Sequence, residues 1–420
     1  MAARLGVDPQ VLILALARMT ESIGNSFLVV VLPLFIASEV ITGSTFGLTE
    51  VAITGIVLSL FGFVNSPLQP FTGRLSDRTG RRKVFVLIGL AVLGLASLSY
   101  AFASTYWHLL VLRMLQGLAG ALIIPTTVAL VNDLASETNR GGNMGTYNTF
   151  RLVGFGVGPL GAGVVVAAGP YRIPLMDVTL SGFDASFLLA ATTATVSFLL
   201  VALLIRDPPV ETRASGTRVS GVSILDRSGD GLLDPVFTLG VASFFMAVGI
   251  ALFATLGDLI NTRLGQDSVW FGAQFAAFVI AQILLQAPIG RATDFYGRKR
   301  FIVVGMALLV PTTLVQGVVL DSLLMFLARF LQGVAGAMVF APALALAGDL
   351  APAGESGSTL SVLTMAFGFG VAFGPLVSGF LVEFGFVVPF AVAGILAAIG
   401  FVLVVTQVEE TVDVSVPSAA

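Results

Sequence analysis

The chain has 420 residues, of which 56% are apolar and 11% charged, and its net charge is −3. Soluble domains carry about 25% charged residues, so this balance excludes a water-soluble fold and points to an all-α integral membrane protein. No nucleic-acid partner is expected. The absence of cysteine excludes disulfides and thiolate metal sites, and one histidine, His108, leaves no histidine metal site, so neither cofactor nor metal is expected.

Apolar runs of about 20 residues, the length needed to cross a ~30 Å hydrocarbon core, recur twelve times along the chain. They cover 11–36, 50–72, 84–104, 107–133, 143–168, 184–205, 236–260, 270–289, 301–319, 323–349, 357–382 and 387–407. The period-two alternation of a membrane β-barrel is absent. With a cytoplasmic N-terminus, 15 of the 21 Lys and Arg fall in cytoplasmic segments and only Arg172 and Arg263 fall outside. That asymmetry obeys the positive-inside rule and places both termini in the cytoplasm of a multi-pass cell-membrane protein. The remaining four, Arg18, Arg113, Arg151 and Arg329, lie within spans.

The first span carries Glu21, the one carboxylate deep in a run, roughly 15 Å in at ~1.5 Å per residue. Arg18 and Asn25 lie on the same helical face, so a polar stripe turns away from lipid. Burial favours the neutral acid and a nearby guanidinium favours the carboxylate, so a rearrangement that alternates them would load and release a proton. The alternative is a structural Arg18–Glu21 pair that fixes the first helix.

Between the second and third spans stands the phrase GRLSDRTGRRK, Gly73 to Lys83. Gly73 and Gly80 allow a tight connection, and Asp77 can accept hydrogen bonds from Arg81, with Asp133 at the end of the fourth span a further partner. The fourth span opens RMLQG, with Arg113, Gln116 and Gly117. The fifth carries Arg151 and the series Gly145, Gly154, Gly158-Pro159. Residues 206–235 read as a cytoplasmic linker, with a surface helix, between a first bundle at 1–205 and a second at 236–420. In the eighth span Gln274, Gln282 and Gln286 share an arc, and phenylalanines cluster around them.

The second half repeats the first. GRATDFYGRKR begins at Gly290, 217 residues after Gly73; RFLQG begins at Arg329, 216 after Arg113; and Gly374-Pro375 lies 216 after Gly158-Pro159. Asp294 and Arg298 are the counterparts of Asp77 and Arg81, while Phe295 stands where Arg78 does. Arg151 has no counterpart, Phe367 standing at that place. A single offset over three motifs is a duplication, giving two pseudo-symmetric six-helix bundles that share one direction through the membrane.

These phrases resemble those of the major facilitator superfamily over nearly the whole chain. GRLSDRTGRRK is similar to its signature G-x-L-x-D-R-x-G-R-R/K, with Gly73, Leu75, Asp77, Arg78, Gly80, Arg81 and Arg82 in place. In the family this cluster latches the two halves in the outward-facing state. RMLQG resembles the motif that related proton-coupled transporters use for coupling, which implies that Arg113 approaches Glu21. The glycine series resembles the antiporter motif G-x8-G-x3-G-P-x2-G, apart from Ala162 at its last position; its second copy keeps Gly370, Gly374, Pro375 and Gly379.

The resemblance implies a transporter rather than an enzyme. It is expected to be a monomer exchanging protons for small, largely apolar or cationic compounds, in the manner of drug–proton antiporters. The cavity residues expected are Arg18, Asn25, Gln116, Arg151, Gln274 and Gln282, with Glu21 and Arg113 coupling the proton. The alternative is an uptake symporter or uniporter for a nutrient or metabolite, with Arg151 binding an organic anion.

Overall fold

The computed structural model describes residues 8–38, 40–45, 47–134, 140–174, 177–207, 224–225, 232–351 and 356–411. The expected surface helix of the linker lies outside these residues. Among them, twelve helical stretches are long and apolar enough to cross a membrane, in agreement with the twelve apolar runs.

The first six begin with α1 (Pro9–Ile36), α2 (Glu50–Thr79), α3 (Arg82–Ser99) and α4 (Tyr106–Leu134). Then come α5 (Arg140–Ala168) and α6 (Gly182–Leu204), joined through a hairpin of β1 (Tyr171–Ile173) and β2 (Val178–Leu180). The seventh span is α7 (Pro235–Ala251), a 3-10 stretch (Leu252–Leu256) and α8 (Gly257–Leu264). The rest are α9 (Ser268–Tyr296), α10 (Arg298–Gln316), α11 (Ser322–Leu350), α12 (Ser356–Leu381) and α13 (Val387–Gln407).

The starts of α1 and α7 are written in the same way. Asp8 and Asp234 each cap a helix whose first residue is proline, accepting hydrogen bonds from the next two free N–H groups. That satisfies donors no helix can satisfy for itself, and proline at the first position lacks the N–H that would have been orphaned. Ser181 and Asp184 form a reciprocal capping box at α6.

The chain divides into two compact units, residues 1–212 with 254–279, and residues 213–253 with 280–420. In the first, α1 packs on α5 and α6, α4 on α2 and α3, and α3 on α6. In the second, α7 packs on α12 and α13, and α10 on α11 and α13. Each has its own apolar core. Leu14, Leu90, Ile123 and Leu130 belong to the first, and Leu239, Met306, Val339 and Leu346 to the second.

Close contacts fix the internal register residue by residue. A Cβ on Gly154 would strike the Met19 carbonyl, and one on Gly370 the Phe244 carbonyl. Likewise Gly158 lies against Ser26 and Ile23 as Gly374 does against Ala251 and Val248. The glycines are 216 apart and their partners 225 apart, so α1 corresponds to α7 at an offset of 225.

The basic phrases are mostly helix, not the connection that the sequence suggests. α2 runs to Thr79 and carries Gly73 within it, where an added Cβ would make only an ordinary contact, 3.7 Å from Pro125. Gly80 alone makes the turn, at φ 63°, a left-handed conformation that favours glycine.

The close approach of α5 to α1 is expected to tolerate no side chain. Gly154→Ala should lower stability in detergent by about 1–3 kcal/mol, the usual cost of overpacking. Gly145 has nothing within 4 Å of its absent Cβ, so Gly145→Ala should be neutral or slightly stabilising. Thermal unfolding of the two variants side by side checks this.

Candidate functional site

Glu21 is the thirteenth residue of the 28-residue α1 and is 5% exposed. Arg18, one turn before it, donates from Nη1 to Glu21 Oε2 at 2.6 Å, and the Ser22 hydroxyl lies 3.5 Å from the same oxygen. A lone charge at mid-span costs on the order of 3 kcal/mol, and this pairing offsets it on both sides. Gly154 and Gly158 bring α5 against this part of α1, and Arg151 lies one turn before Gly154. Its Nε donates to Asn148 Oδ1 at 2.9 Å. Arg151 is within electrostatic reach of both Arg18 and Glu21. Tyr147, whose hydroxyl donates to Thr127 at 2.8 Å, lies within the same reach of Arg18. Asn25 follows one turn after Glu21, half-buried.

Arg113 is held elsewhere. It donates to Gln116 Oε1 at 3.1 Å, and its guanidinium lies 5.7 Å from the Phe61 ring centroid. Gln116 Oε1 also accepts from the Tyr100 hydroxyl at 3.2 Å, and Gln116 Nε2 donates to Ser97 at 3.2 Å. No hydrogen bond or ion pair among the described residues joins Arg113 to Glu21, contrary to the sequence expectation. Its own Gln116, a turn further on, turns it toward α2 and α3.

The glutamines expected on one arc of α9 are not equivalent. Gln274 is buried in a reciprocal amide pair with Gln266, at 3.0 and 2.8 Å. Gln282 and Gln286 are half-buried.

Around the connection from α2 to α3, Arg82 rather than Arg81 makes the ion pairs, with Asp77 at 3.2 Å and Asp133 at 2.6 Å. Arg81 is the N-cap residue of α3 and Arg82 its first helical residue. In the second copy Gly297 is the N-cap and Arg298 the first helical residue. Arg298 bonds Asp349 and the Ala345 carbonyl and lies 3.3 Å from Asp294. The second connection is therefore one residue shorter, so Arg298 matches Arg82 in space although it aligns with Arg81 in the phrase. The signal was present in the sequence, because the repeat offset falls from 217 to 216 between the basic phrase and Arg113. Arg78, exposed, makes no ion pair among the described residues.

A further paired element was not anticipated. The Lys83 backbone N–H donates to Asp207 at 2.8 Å, and Lys83 Nζ donates to the carbonyls of Ala202 and Ile205, each at 2.7 Å. Lys299 repeats this with Glu410 at 2.9 Å and the Val405 carbonyl at 3.1 Å. A carboxylate just beyond the last helix of each half thus caps the third. Acidic residues in such tails carry no periodic signal, so sequence reading passes over them.

The family model of the Major Facilitator Superfamily matches residues 14–267 and 238–419. The chain belongs to this superfamily. It is a multi-pass membrane transporter and not an enzyme. It is 26% identical over 402 residues to multidrug resistance protein 2 of Bacillus subtilis, covering 93% of each chain. It is 25% identical over 362 residues, 84% of each chain, to the multi-drug resistance efflux pump PmrA homolog of Lactococcus lactis. Among solved structures, its fold is similar to that of a bacterial homologue of the human lysosomal transporter Spinster. The TM-score is 0.73 with 14% identity, over 95% of each chain. The human organic anion transporter MFSD10 (TETRAN) is similar at TM-score 0.63 and 20% identity, over 94% of this chain and 100% of that one.

Within this superfamily member the two halves share a frame but not its charges. At the offset of 225, Arg18 corresponds to Ser243 and Glu21 to Met246, both of them buried. Arg151 corresponds to Phe367, which packs on Phe340 with ring centroids 4.6 Å apart. Arg113 and Gln116, by contrast, are repeated as Arg329 and Gln332. The ionic cluster around Glu21 is a property of the first half alone.

Proposed function

We propose that this transporter is a proton-coupled antiporter that exports small, largely apolar or cationic compounds by alternating access, with Glu21 carrying the proton. The carrying observation is the buried Arg18–Glu21 pair at mid-span, whose counterparts in the duplicated half are Ser243 and Met246. Scaffold positions recur in both halves. A charged pair kept in one half only, at the cost of desolvation, calls for a function. A proton on the carboxylate releases Arg18; a cargo cation or hydrogen-bond donor competes with Arg18 for the same oxygens. Proton and cargo then exclude one another, which is antiport. The relatives named for multidrug resistance support export. The positive-inside bias supports cytoplasmic termini, with bundles 1–205 and 236–420 joined through 206–235, working as a monomer.

Glu21→Gln is nearly isosteric and cannot titrate. It should reduce gradient-driven transport in vesicles to background while cargo binding stays within about tenfold. Cargo binding to the wild type in weak buffer should release protons, followed with an indicator dye. Export at wild-type rate by the variant would remove Glu21 as the carrier.

Arg82 with Asp77 and Asp133, and Arg298 with Asp294 and Asp349, are proposed as the conformational latch. An ion-pair cluster made in one state only biases alternation by its differential energy. Arg82→Gln should slow turnover about tenfold, equivalent to ~1.4 kcal/mol, with cargo affinity nearly unchanged. Arg81→Gln, which removes no ion pair seen in the structure, should behave as wild type. Equal defects in both would refute this assignment.

A second reading is favoured by charge count. Two guanidiniums, Arg18 and Arg151, lie near one carboxylate; Arg18 pairs with it, and Arg151 donates to neutral Asn148, with no ion pair among the described residues. An organic anion would balance Arg151, as the uptake alternative requires. A charge-assisted hydrogen bond is worth about 1.5–3 kcal/mol. Under this reading Arg151→Gln should weaken binding of an aromatic carboxylate by about tenfold or more while sparing a permanent cation. Unchanged carboxylate binding would exclude the reading.

A further inference from the structure

The seventh span is broken, while its counterpart α1 runs unbroken for 28 residues. After α7 ends at Ala251, residues Leu252–Leu256 take 3-10 form before α8 begins. Sharp interruptions have identifiable causes: proline, paired small residues, a π-bulge, or a side chain inserted into the backbone ladder. No proline lies in this stretch. Changing from i→i+4 to i→i+3 bonding leaves carbonyls at the junction short of backbone donors, and within a membrane such groups must be satisfied internally.

Side chains of α11 supply those donors. Gln332 Nε2 donates to the Gly249 carbonyl at 3.2 Å and to the Thr313 hydroxyl at 3.1 Å. Arg329 Nη1 lies 3.4 Å from the Ile250 carbonyl and donates to Gln332 Oε1 at 2.5 Å. The Arg329 guanidinium stacks on Phe253, inside the 3-10 stretch, 4.3 Å from the ring centroid. Arg329 is fully buried. The division between the two compact units falls between residues 253 and 254, at this same point.

We propose that Arg329 and Gln332 are positioning residues of the transport cycle, clamping the 249–256 break as a hinge on which residues beyond it move. The first-half copy is the internal control. Arg113 and Gln116 have the same chemistry, and Gln116 keeps the bond to Ser97, the counterpart of Thr313. But its Oε1 accepts from the Tyr100 hydroxyl, whereas Gln332 and Arg329 reach the carbonyls of Gly249 and Ile250, and the helix corresponding to α7 is continuous there. The repeated RxLQG phrase is thus one cluster put to two uses. Alternation alone is required, so the inference stands or falls separately from the assignment of Glu21.

The chain has no cysteine, which permits clean labelling. Spin labels at Thr262→Cys, beyond the break, and Leu324→Cys, at the start of α11, report a distance distribution by double electron–electron resonance in liposomes. Gln332→Leu, Arg329→Lys and Phe253→Leu should each shift the ratio of distance populations at least threefold. They should also lower maximal transport rate with little change in KM. Gln116→Leu and Arg113→Lys should leave the distribution as in wild type. If Arg329→Lys does not fold, the other two variants answer the question. Unchanged distributions in the second-half variants, or equal shifts from the first-half pair, would overturn the proposal.

Discussion

A charge or a free backbone group carried into hydrocarbon must be matched within the protein, and this constraint organises the chain. Glu21 meets it through Arg18, Arg113 through Gln116, and the junction carbonyls of the broken seventh span through Arg329 and Gln332. Each solution uses a partner about one helical turn away or on the adjoining helix, because only those positions are close enough. At the helix ends, where water is available, the same chemistry appears as ion pairs of half-exposed groups around Arg82 and Arg298.

Duplication supplies the frame in which those choices can be compared. Glycines at 154 and 370 press α5 on α1 and α12 on α7 in the same way, so packing is inherited. On that common packing the first half places Arg18, Glu21 and Arg151, where the second places Ser243, Met246 and Phe367. The second half instead breaks its first helix. Chemistry is concentrated in one copy and backbone irregularity in the other. A symmetric pair of identical bundles would have neither the single proton site nor the single hinge proposed above.

The twelve spans, the repeat and the superfamily were legible because they rest on long apolar runs and on glycine and arginine spacing, signals that add up over many residues. Glu21 and Arg18 were legible because a carboxylate in such a run is costly and rare. Other features lay below that resolution. The helical course of Gly73–Thr79 was hidden because charged residues there look like a loop, although nothing but Gly80 interrupts the helix. The exchange of Arg81 for Arg82 turned on one residue in a connection. Arg113 was drawn toward Glu21 by analogy, whereas local bonds to Gln116 and, through it, Tyr100 decide its place. The break at 252–256 has no proline to announce it, and its cause lies some 75 residues downstream on α11.

The glycines of α5 connect packing with the proposed chemistry. Gly154 and Gly158 admit the backbone carbonyls of Met19 and Ile23 and the side chains of Ser22 and Ser26, residues that flank Glu21 on α1. Close approach at these points fixes how far Arg151, one turn away, lies from the Arg18–Glu21 pair. A bulkier residue at 154 would widen that gap and weaken electrostatic coupling, which falls with distance and rises as water is excluded. The spacing that resembles an antiporter motif thus has a local physical meaning in this chain. It sets the separation of two guanidiniums from one carboxylate, and with it how strongly the charge of Glu21 is felt at Arg151.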